Sequence, residues 1–231
     1  MNLNGKICLI TGGTKGIGAA TALAFAEHHA DIALVGRSID SEALKLLDQI
    51  QSKNVRAHLI TADLSRPEEA LACVEETCQT LGVPDVLVHS AGEASPGNLE
   101  SLTPERWYAA FDIHIHAVFH LCRCLIPRMN EKTEGAIVLI SSAAGLRGCL
   151  NSLAYSVVKG ALPQFIRVNL RLAQNYHNLN AAPYGWEVWA RWIPGLFDLV
   201  EKIMPAPAAL GIALAVNLPY LLAMALPFLV G

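Results

Sequence analysis

The segment Lys6-Ile-Cys-Leu-Ile-Thr-Gly-Gly-Thr-Lys-Gly-Ile-Gly18 joins a short apolar run to a glycine-rich turn. Residues 6–11 predict a buried strand, and the alanine-rich residues after Gly18 predict a helix. Glycine lets the backbone turn tightly and approach a ligand, while the N-terminus of a helix attracts negative charge. A strand, a glycine turn and a helix start in this order are typical of a site for the pyrophosphate of a dinucleotide.

Outward from this segment, apolar strand-like runs alternate with helical runs as far as about residue 183. Such alternation is typical of a parallel sheet with helices on both faces. We therefore predict an α/β fold, a Rossmann-type doubly wound parallel sheet in a single domain. The predicted strands are residues 6–11, 31–36, 55–60, 85–89 and 136–141. The predicted helices are residues 16–29, 40–52, 67–81, 104–131 and 153–175, the fourth starting at Thr103-Pro104-Glu105.

A second group of residues carries acid–base chemistry. Tyr155 and Lys159 are four residues apart, so their side chains share one face of the last predicted helix. An ammonium group beside a phenol stabilises the phenolate and lowers the tyrosine pKa, which suits proton transfer near neutral pH. Ser142 lies thirteen residues before the tyrosine and adds a hydroxyl, although its neighbour Ser141 offers the same group.

Taken together, Thr11-Gly12-x-x-x-Gly16-x-Gly18, Ser142, Tyr155 and Lys159 resemble the motifs of the classical short-chain dehydrogenases/reductases. The resemblance runs to about Trp186 and implies a dinucleotide-binding and catalytic domain over residues 1–186. It implies hydride transfer between a nicotinamide coenzyme and a small carbonyl or alcohol substrate. Tyr155 would donate or accept the proton, Ser142 would hold the substrate oxygen, and Lys159 would bind the nicotinamide ribose. Family members usually form homodimers or homotetramers through the face of the catalytic helix, which predicts the same assembly here.

The resemblance also predicts which residues hold the coenzyme. Arg37 ends the second strand, and its planar guanidinium suits a 2′-phosphate, while Lys15 adds a second positive charge. We therefore predict NADP(H) rather than NAD(H). Asp63 is expected to hydrogen-bond the adenine amino group, although an aspartate here also suits a turn or helix cap. The full predicted set is Gly12, Thr14, Lys15, Gly16, Ile17, Gly18, Arg37, Asp63, Leu64, Ala91, Gly92, Tyr155 and Lys159.

Two positions depart from the family pattern. His89-Ser90-Ala91-Gly92 stands where the family has Asn-Asn-Ala-Gly, so we expect the side-chain bracing of the central strand to differ. His114 stands where the family has a catalytic asparagine, which is associated with a bent helix and a bound water. Histidine also donates and accepts hydrogen bonds, but its ring titrates. We include His114 among the catalytic residues and expect activity to be retained.

Composition and cysteine usage narrow the compartment and the ligand classes. The formal net charge is −3 and there is no basic run, which gives no reason to expect nucleic acid. The six cysteines form no Cys-x-x-Cys pair, and no secretory signal precedes the first strand, so we predict reduced thiols in a cytoplasmic protein. His114, His116, His120 and Cys122 match no standard ligand spacing, and we predict no metal site.

The end of the chain has a different composition. Residues 208–231 contain no charge, and the segment 187–231 does not follow the family pattern. Three interpretations stay open: a membrane anchor, an apolar lid or interface on the domain, and an aberrant terminus. The apolar residues also suit a lipophilic substrate.

The sequence favours an NADP(H)-dependent oxidoreductase. The alternative is a coenzyme-binding sensor or interaction module with impaired catalysis, which is motivated by His114, Ser90 and the altered terminus.

Overall fold

A computed structural model describes residues 3–132 and 135–177 of the chain, with side chains as far as Ile166. The strands are β1 Ile7–Thr11, β2 Asp31–Gly36, β3 Ala57–Thr61, β4 Val86–His89 and β5 Ala136–Leu139. The helices are α1 Gly16–Glu27, α2 Ser41–Gln51, α3 Pro67–Thr80, α4 Pro104–Phe111, α5 Ala117–Met129, α6 Ala144–Arg147 and α7 Leu153–His177. A π-helical turn, Asp112–His116, joins α4 to α5.

The five strands form one parallel sheet in the order β3-β2-β1-β4-β5. The chain moves outward from β1 to β3, then crosses back and continues from β4 on the other side of β1. The order therefore reverses between β1 and β4, where open α/β sheets bind ligands beyond the carboxyl ends of their strands. The predicted Rossmann-type doubly wound sheet is confirmed.

Apolar side chains alternate between the two faces of the sheet, and each face has its own core. Cys8, Ile10 and Leu34 pack on one face with Phe25 and Ala26 of α1. On the opposite face, strand residues pack with residues of α3 and α5, namely Leu9, Val35, Leu87, Val74, Leu121 and Leu125. Because both faces are covered, the strands are almost uniformly apolar, and this is why the sequence shows them clearly.

The prediction of one unbroken helix over residues 104–131 is wrong. Its start is as predicted, since the hydroxyl of Thr103 accepts a hydrogen bond from the Arg106 amide and Pro104 occupies the first turn. The helix is then interrupted by the π-helical turn and ends at Met129. A π-helical turn adds one residue to a helical turn, and such turns are frequent at functional sites. The short helix α6 was not predicted.

Of the residues described, one helical stretch, Pro104–Met129, is long and apolar enough to cross a membrane. Its inner residues include Val118, Leu121 and Leu125, which are buried in the core between the sheet and α3. The predictions for residues 187–231, an anchor, a lid or an aberrant terminus, concern a segment outside the described residues.

Candidate active site

The glycine turn after β1 lies directly against the loop that follows β4. Gly12 has a φ of +62°, and a Cβ added there would lie 2.7 Å from the amide nitrogen of Ala91. Only glycine allows both this conformation and this approach. Two of the predicted coenzyme segments are thus brought together at the carboxyl ends of β1 and β4.

The N-terminus of α1 has the features of a phosphate site. Lys15 precedes the helix but gives no side-chain cap, and the first turn contains no acidic residue in this described helix. In α2, by contrast, the carboxylate of Asp40 accepts a hydrogen bond from the Ala43 amide. The first amides of α1 therefore face the glycine turn without a competing anion, which favours a bound phosphate. The residues present fit the pyrophosphate of a dinucleotide.

Arg37 lies at the end of β2 with its guanidinium exposed, and it forms an ion pair across the sheet. Its Nη2 donates a hydrogen bond to the Oε2 of Glu93 over 3.1 Å. Asp63, at the end of β3, accepts hydrogen bonds from the hydroxyl and amide of Ser65 at 2.7 and 3.1 Å. These bonds lower the pKa of Asp63, and the charge of Arg37 contributes to the same effect. Asp63 therefore adopts the turn-capping geometry that its sequence position also predicted, with one carboxylate oxygen in that role.

The central strands are braced by a pair that replaces the family asparagines. Thr11 and His89 lie opposite each other in the β1–β4 register, and the threonine Oγ1 is 2.9 Å from the histidine Nδ1. The amide of Ala91 donates to the same hydroxyl at 3.4 Å, which ties the loop after β4 to β1 as well. Burial lowers the pKa of His89 to about 3, with the charges of Lys159 and His114 adding to the effect. The expected difference in bracing is thus a histidine bond between the same two strands.

The last helix brings Tyr155 and Lys159 together on one face. The Nζ of Lys159 lies 5.6 Å from the centre of the Tyr155 ring and donates a hydrogen bond to the Ile140 carbonyl over 2.7 Å. Lys159 is buried, and burial lowers its pKa to about 8. The ammonium form is therefore the main form at neutral pH and is lost under mildly alkaline conditions.

Ser142 and Ser141 have different environments, and this separates two residues that the sequence alone leaves similar. The hydroxyl of Ser141 donates to the carbonyl oxygen of Lys159 over 2.8 Å, so it fixes the end of β5 to α7. The hydroxyl of Ser142 accepts a hydrogen bond from the Ala144 amide over 3.2 Å and keeps its own hydrogen available. This arrangement favours Ser142 as the hydroxyl that meets a substrate oxygen.

His114 lies in the π-helical turn and points its ring into the same cluster. The ring is buried, and it meets the Tyr155 ring edge-on with centres 5.6 Å apart. Its Nε2 lies 3.0 Å from the carbonyl oxygen of Glu93, and since a carbonyl only accepts, Nε2 carries the hydrogen. Burial and the charge of Lys159 lower the pKa of His114 to about 4, so the ring is neutral near pH 7 and Nδ1 is a hydrogen-bond acceptor.

Gly92 makes room for this histidine. A Cβ at Gly92 would lie 2.1 Å from Cε1 of His114, and the glycine has a φ of +149°. The ring therefore occupies the space that any larger residue at position 92 would fill. The pairing of Gly92 with His114 links the predicted coenzyme loop to the predicted catalytic cluster.

Two contributors were missed or misjudged from the sequence. Glu93 is one of them: an acid directly after Ala91-Gly92 and an arginine at the end of β2 place opposite charges at two strand ends that flank β1. The π-helical turn was not predicted, although the family resemblance implies a bent helix at His114.

All six cysteines are free thiols, and the three most deeply buried have raised pKa values, among them Cys73 and Cys122 at about 12.

The chain is similar to known proteins in sequence and in fold. The family model for short chain dehydrogenases matches residues 6–181. D-beta-hydroxybutyrate dehydrogenase of Cupriavidus necator is 33% identical over 207 residues, which are 89% of this chain and 77% of the relative. A blue fluorescent protein from a metagenomic library, solved with NADPH, is 33% identical with a TM-score of 0.71, covering 74% of this chain and 70% of its own. L-sorbose reductase of Gluconobacter frateurii, solved with NADPH and L-sorbose, is 30% identical with a TM-score of 0.72. The match covers 75% of this chain and 66% of the reductase chain.

Proposed function

This chain belongs to the short-chain dehydrogenase/reductase family of oxidoreductases, and we propose that it interconverts a carbonyl and an alcohol with NADP(H) as coenzyme and Tyr155 as proton donor and acceptor. The observation that carries the proposal is the cluster of Tyr155, Lys159 and His114 at the carboxyl edge of the sheet, beside the glycine turn. When bound, the coenzyme supplies or accepts the hydride. The chain's own residues bind it, orient the substrate and manage the proton.

In the proposed reduction, Tyr155 gives its hydroxyl proton to the substrate oxygen as negative charge develops there. Lys159, whose Nζ lies 5.6 Å from the centre of the Tyr155 ring, would supply the positive charge that stabilises the phenolate that remains. Ser142 keeps a hydroxyl hydrogen available and would donate it to the same substrate oxygen. In oxidation the same groups work in reverse, with Tyr155 accepting the alcohol proton.

We propose NADP(H) rather than NAD(H) because the end of β2 carries a cation. An acidic side chain at this position binds the ribose hydroxyls of NAD, whereas Arg37 presents a guanidinium fork suited to a 2′-phosphate. Lys15, exposed beside the glycine turn, adds a second positive charge. Two structural relatives of this chain were solved with NADPH, which supports the same choice.

The substrate is proposed to be a small carbonyl or alcohol compound. The relatives are named for compounds as different as hydroxybutyrate and sorbose, so the family narrows the reaction more than the substrate. We also propose a homodimer or homotetramer and a cytoplasmic location, as family membership suggests.

Replacing Tyr155 with phenylalanine tests the proposed chemistry. The wild-type protein should consume NADPH with at least one member of a panel of ketones, followed by the absorbance of the reduced coenzyme. Tyr155→Phe should lower kcat/KM by about 10²-fold or more, because general acid–base catalysis typically contributes 10²–10⁴-fold. NADPH binding, measured by fluorescence titration, should weaken far less than kcat/KM, because Tyr155 is only one of many predicted coenzyme contacts. If wild type binds NADPH but no carbonyl compound is reduced, the chain is a coenzyme-binding protein and not a reductase.

A further inference from the structure

Glu93 lies in the loop after β4, but its side chain reaches the end of β2. Its carboxylate accepts a hydrogen bond from Arg37 over 3.1 Å, and both side chains are more than half exposed. In the sheet, β1 lies between β2 and β4. The ion pair therefore joins the two strand ends on either side of the glycine turn.

The backbone of Glu93 is held in place by the catalytic cluster. Its carbonyl oxygen accepts the hydrogen bond from Nε2 of His114. The preceding residue, Gly92, packs directly against the same ring. The loop cannot move away from Arg37 without disturbing His114, so the backbone of Glu93 is held within reach of Arg37 by contacts other than the ion pair itself.

The charges around Arg37 conflict with the binding of a 2′-phosphate. Glu93 takes a hydrogen bond from one end of the guanidinium, and the Arg37 charge also acts on Asp63. A phosphate needs the guanidinium fork as a donor and brings about two negative charges of its own. The Glu93 carboxylate therefore competes for the donor and repels the incoming phosphate.

We propose that Glu93 is a further coenzyme-specificity residue, which competes with the 2′-phosphate for Arg37 and reduces the preference for NADP(H) over NAD(H). This inference rests on the proposed function, because it assumes that Arg37 receives the 2′-phosphate. The competing ion pair is exposed, and exposed pairs contribute about 0.2–1 kcal/mol. Removing the carboxylate should then tighten NADPH binding by up to about fivefold.

The test uses the full-length chain and four variants: Glu93→Gln, Arg37→Gln, the double variant and Glu27→Gln. Glu27 is the matched control, because it forms an exposed ion pair with Lys53 at 3.2 Å, away from the glycine turn. Dissociation constants for NADPH and NADH are measured by fluorescence titration. Adenosine 2′,5′-bisphosphate and 5′-AMP are measured by calorimetry, which isolates the adenosine end of the coenzyme from the catalytic cluster.

We expect Glu93→Gln to tighten the binding of NADPH and adenosine 2′,5′-bisphosphate by up to about fivefold and to leave that of NADH and 5′-AMP unchanged. The gain should disappear on the Arg37→Gln background, and Glu27→Gln should behave as wild type. An unchanged ratio of NADPH to NADH affinity in Glu93→Gln, or the same gain without Arg37, overturns the inference while the proposed function stands. A wild-type chain that binds neither coenzyme overturns the proposed function and this inference with it.

Discussion

Lowering the pH from 7.5 to 5 should weaken the fold through two buried histidines, His89 and His114. Both rings are about 1% exposed, and burial with the charge of Lys159 lowers their pKa values to about 3 and about 4. An ordinary histidine in the unfolded chain has a pKa of 6.5. Below pH 6.5 the unfolded state therefore binds protons that the native state does not, and stability must fall with pH.

The size of this stability loss follows from how far the pH falls below the histidine pKa of the unfolded state. At pH 5 the solution is about 1.5 pH units below the pKa of a histidine in the unfolded chain. Over that interval the unfolded chain binds a proton and the native ring does not, so the unfolding free energy falls by about 1.4 kcal/mol per pH unit. Each histidine therefore removes about 2 kcal/mol of unfolding free energy between pH 7.5 and 5. The two together remove about 4 kcal/mol, which is a large part of the 5–15 kcal/mol typical of a folded domain.

The assay is urea unfolding of the apo chain at pH 7.5, 6 and 5, followed by circular dichroism. His114→Asn and His89→Asn should each lose about 2 kcal/mol less than wild type over this range, whatever their stability at pH 7.5. His116→Asn is the control, because this histidine lies in the same π-helical turn but is exposed and paired with Asp112. If the wild type and the His114→Asn and His89→Asn variants show parallel pH dependence, the two rings are not the buried neutral groups that the reasoning requires.

Two further predictions concern Lys159 and Gly92. Because burial lowers the pKa of Lys159 to about 8, its ammonium charge is present below that pH and lost above it. Ketone reduction should therefore fall as the pH rises through about 8, measured as kcat/KM, and a rate that stays constant to pH 9.5 would contradict this role. Gly92→Ala should destabilise the fold by about 2 kcal/mol more than Gly5→Ala, measured by urea unfolding, because its Cβ would lie 2.1 Å from His114. Gly5 also has a positive φ but has no atom within 4 Å of an added Cβ, so equal effects would show that the His114 contact is unimportant.

The regular elements could be predicted from the sequence because each carries a local signal. All five strands begin and end within two residues of their predicted limits, since strands buried on both faces appear as short apolar runs. The glycine turn could also be predicted, because its residues are contiguous and form a local motif. The π-helical turn has no comparable signal: residues 112–116 fit an α-helix, and the turn contacts α7, which is distant in the chain.

The contacts that could not be predicted join residues far apart in the chain. Thr11 and His89 meet because the β1–β4 register places them opposite each other. Arg37 and Glu93 meet because the strand order places the carboxyl ends of β2 and β4 on either side of β1. None of these residues belongs to a local sequence motif that predicts its partner. The contacts depend on the strand order and register, which bring the residues together.

Whether His114 impairs or supports catalysis can be argued from its protonation state. A charged imidazolium beside Lys159 would repel the ammonium and leave the ring without an acceptor. The ring is instead neutral near pH 7, with a hydrogen on Nε2 bonded to the Glu93 carbonyl, while Nδ1 is a buried acceptor beside Gly92 that has no partner among the described residues. An asparagine side chain likewise offers a donor and an acceptor. A neutral histidine offers the same two kinds of hydrogen-bonding group, and on this ground we continue to expect an active oxidoreductase rather than a coenzyme-binding sensor.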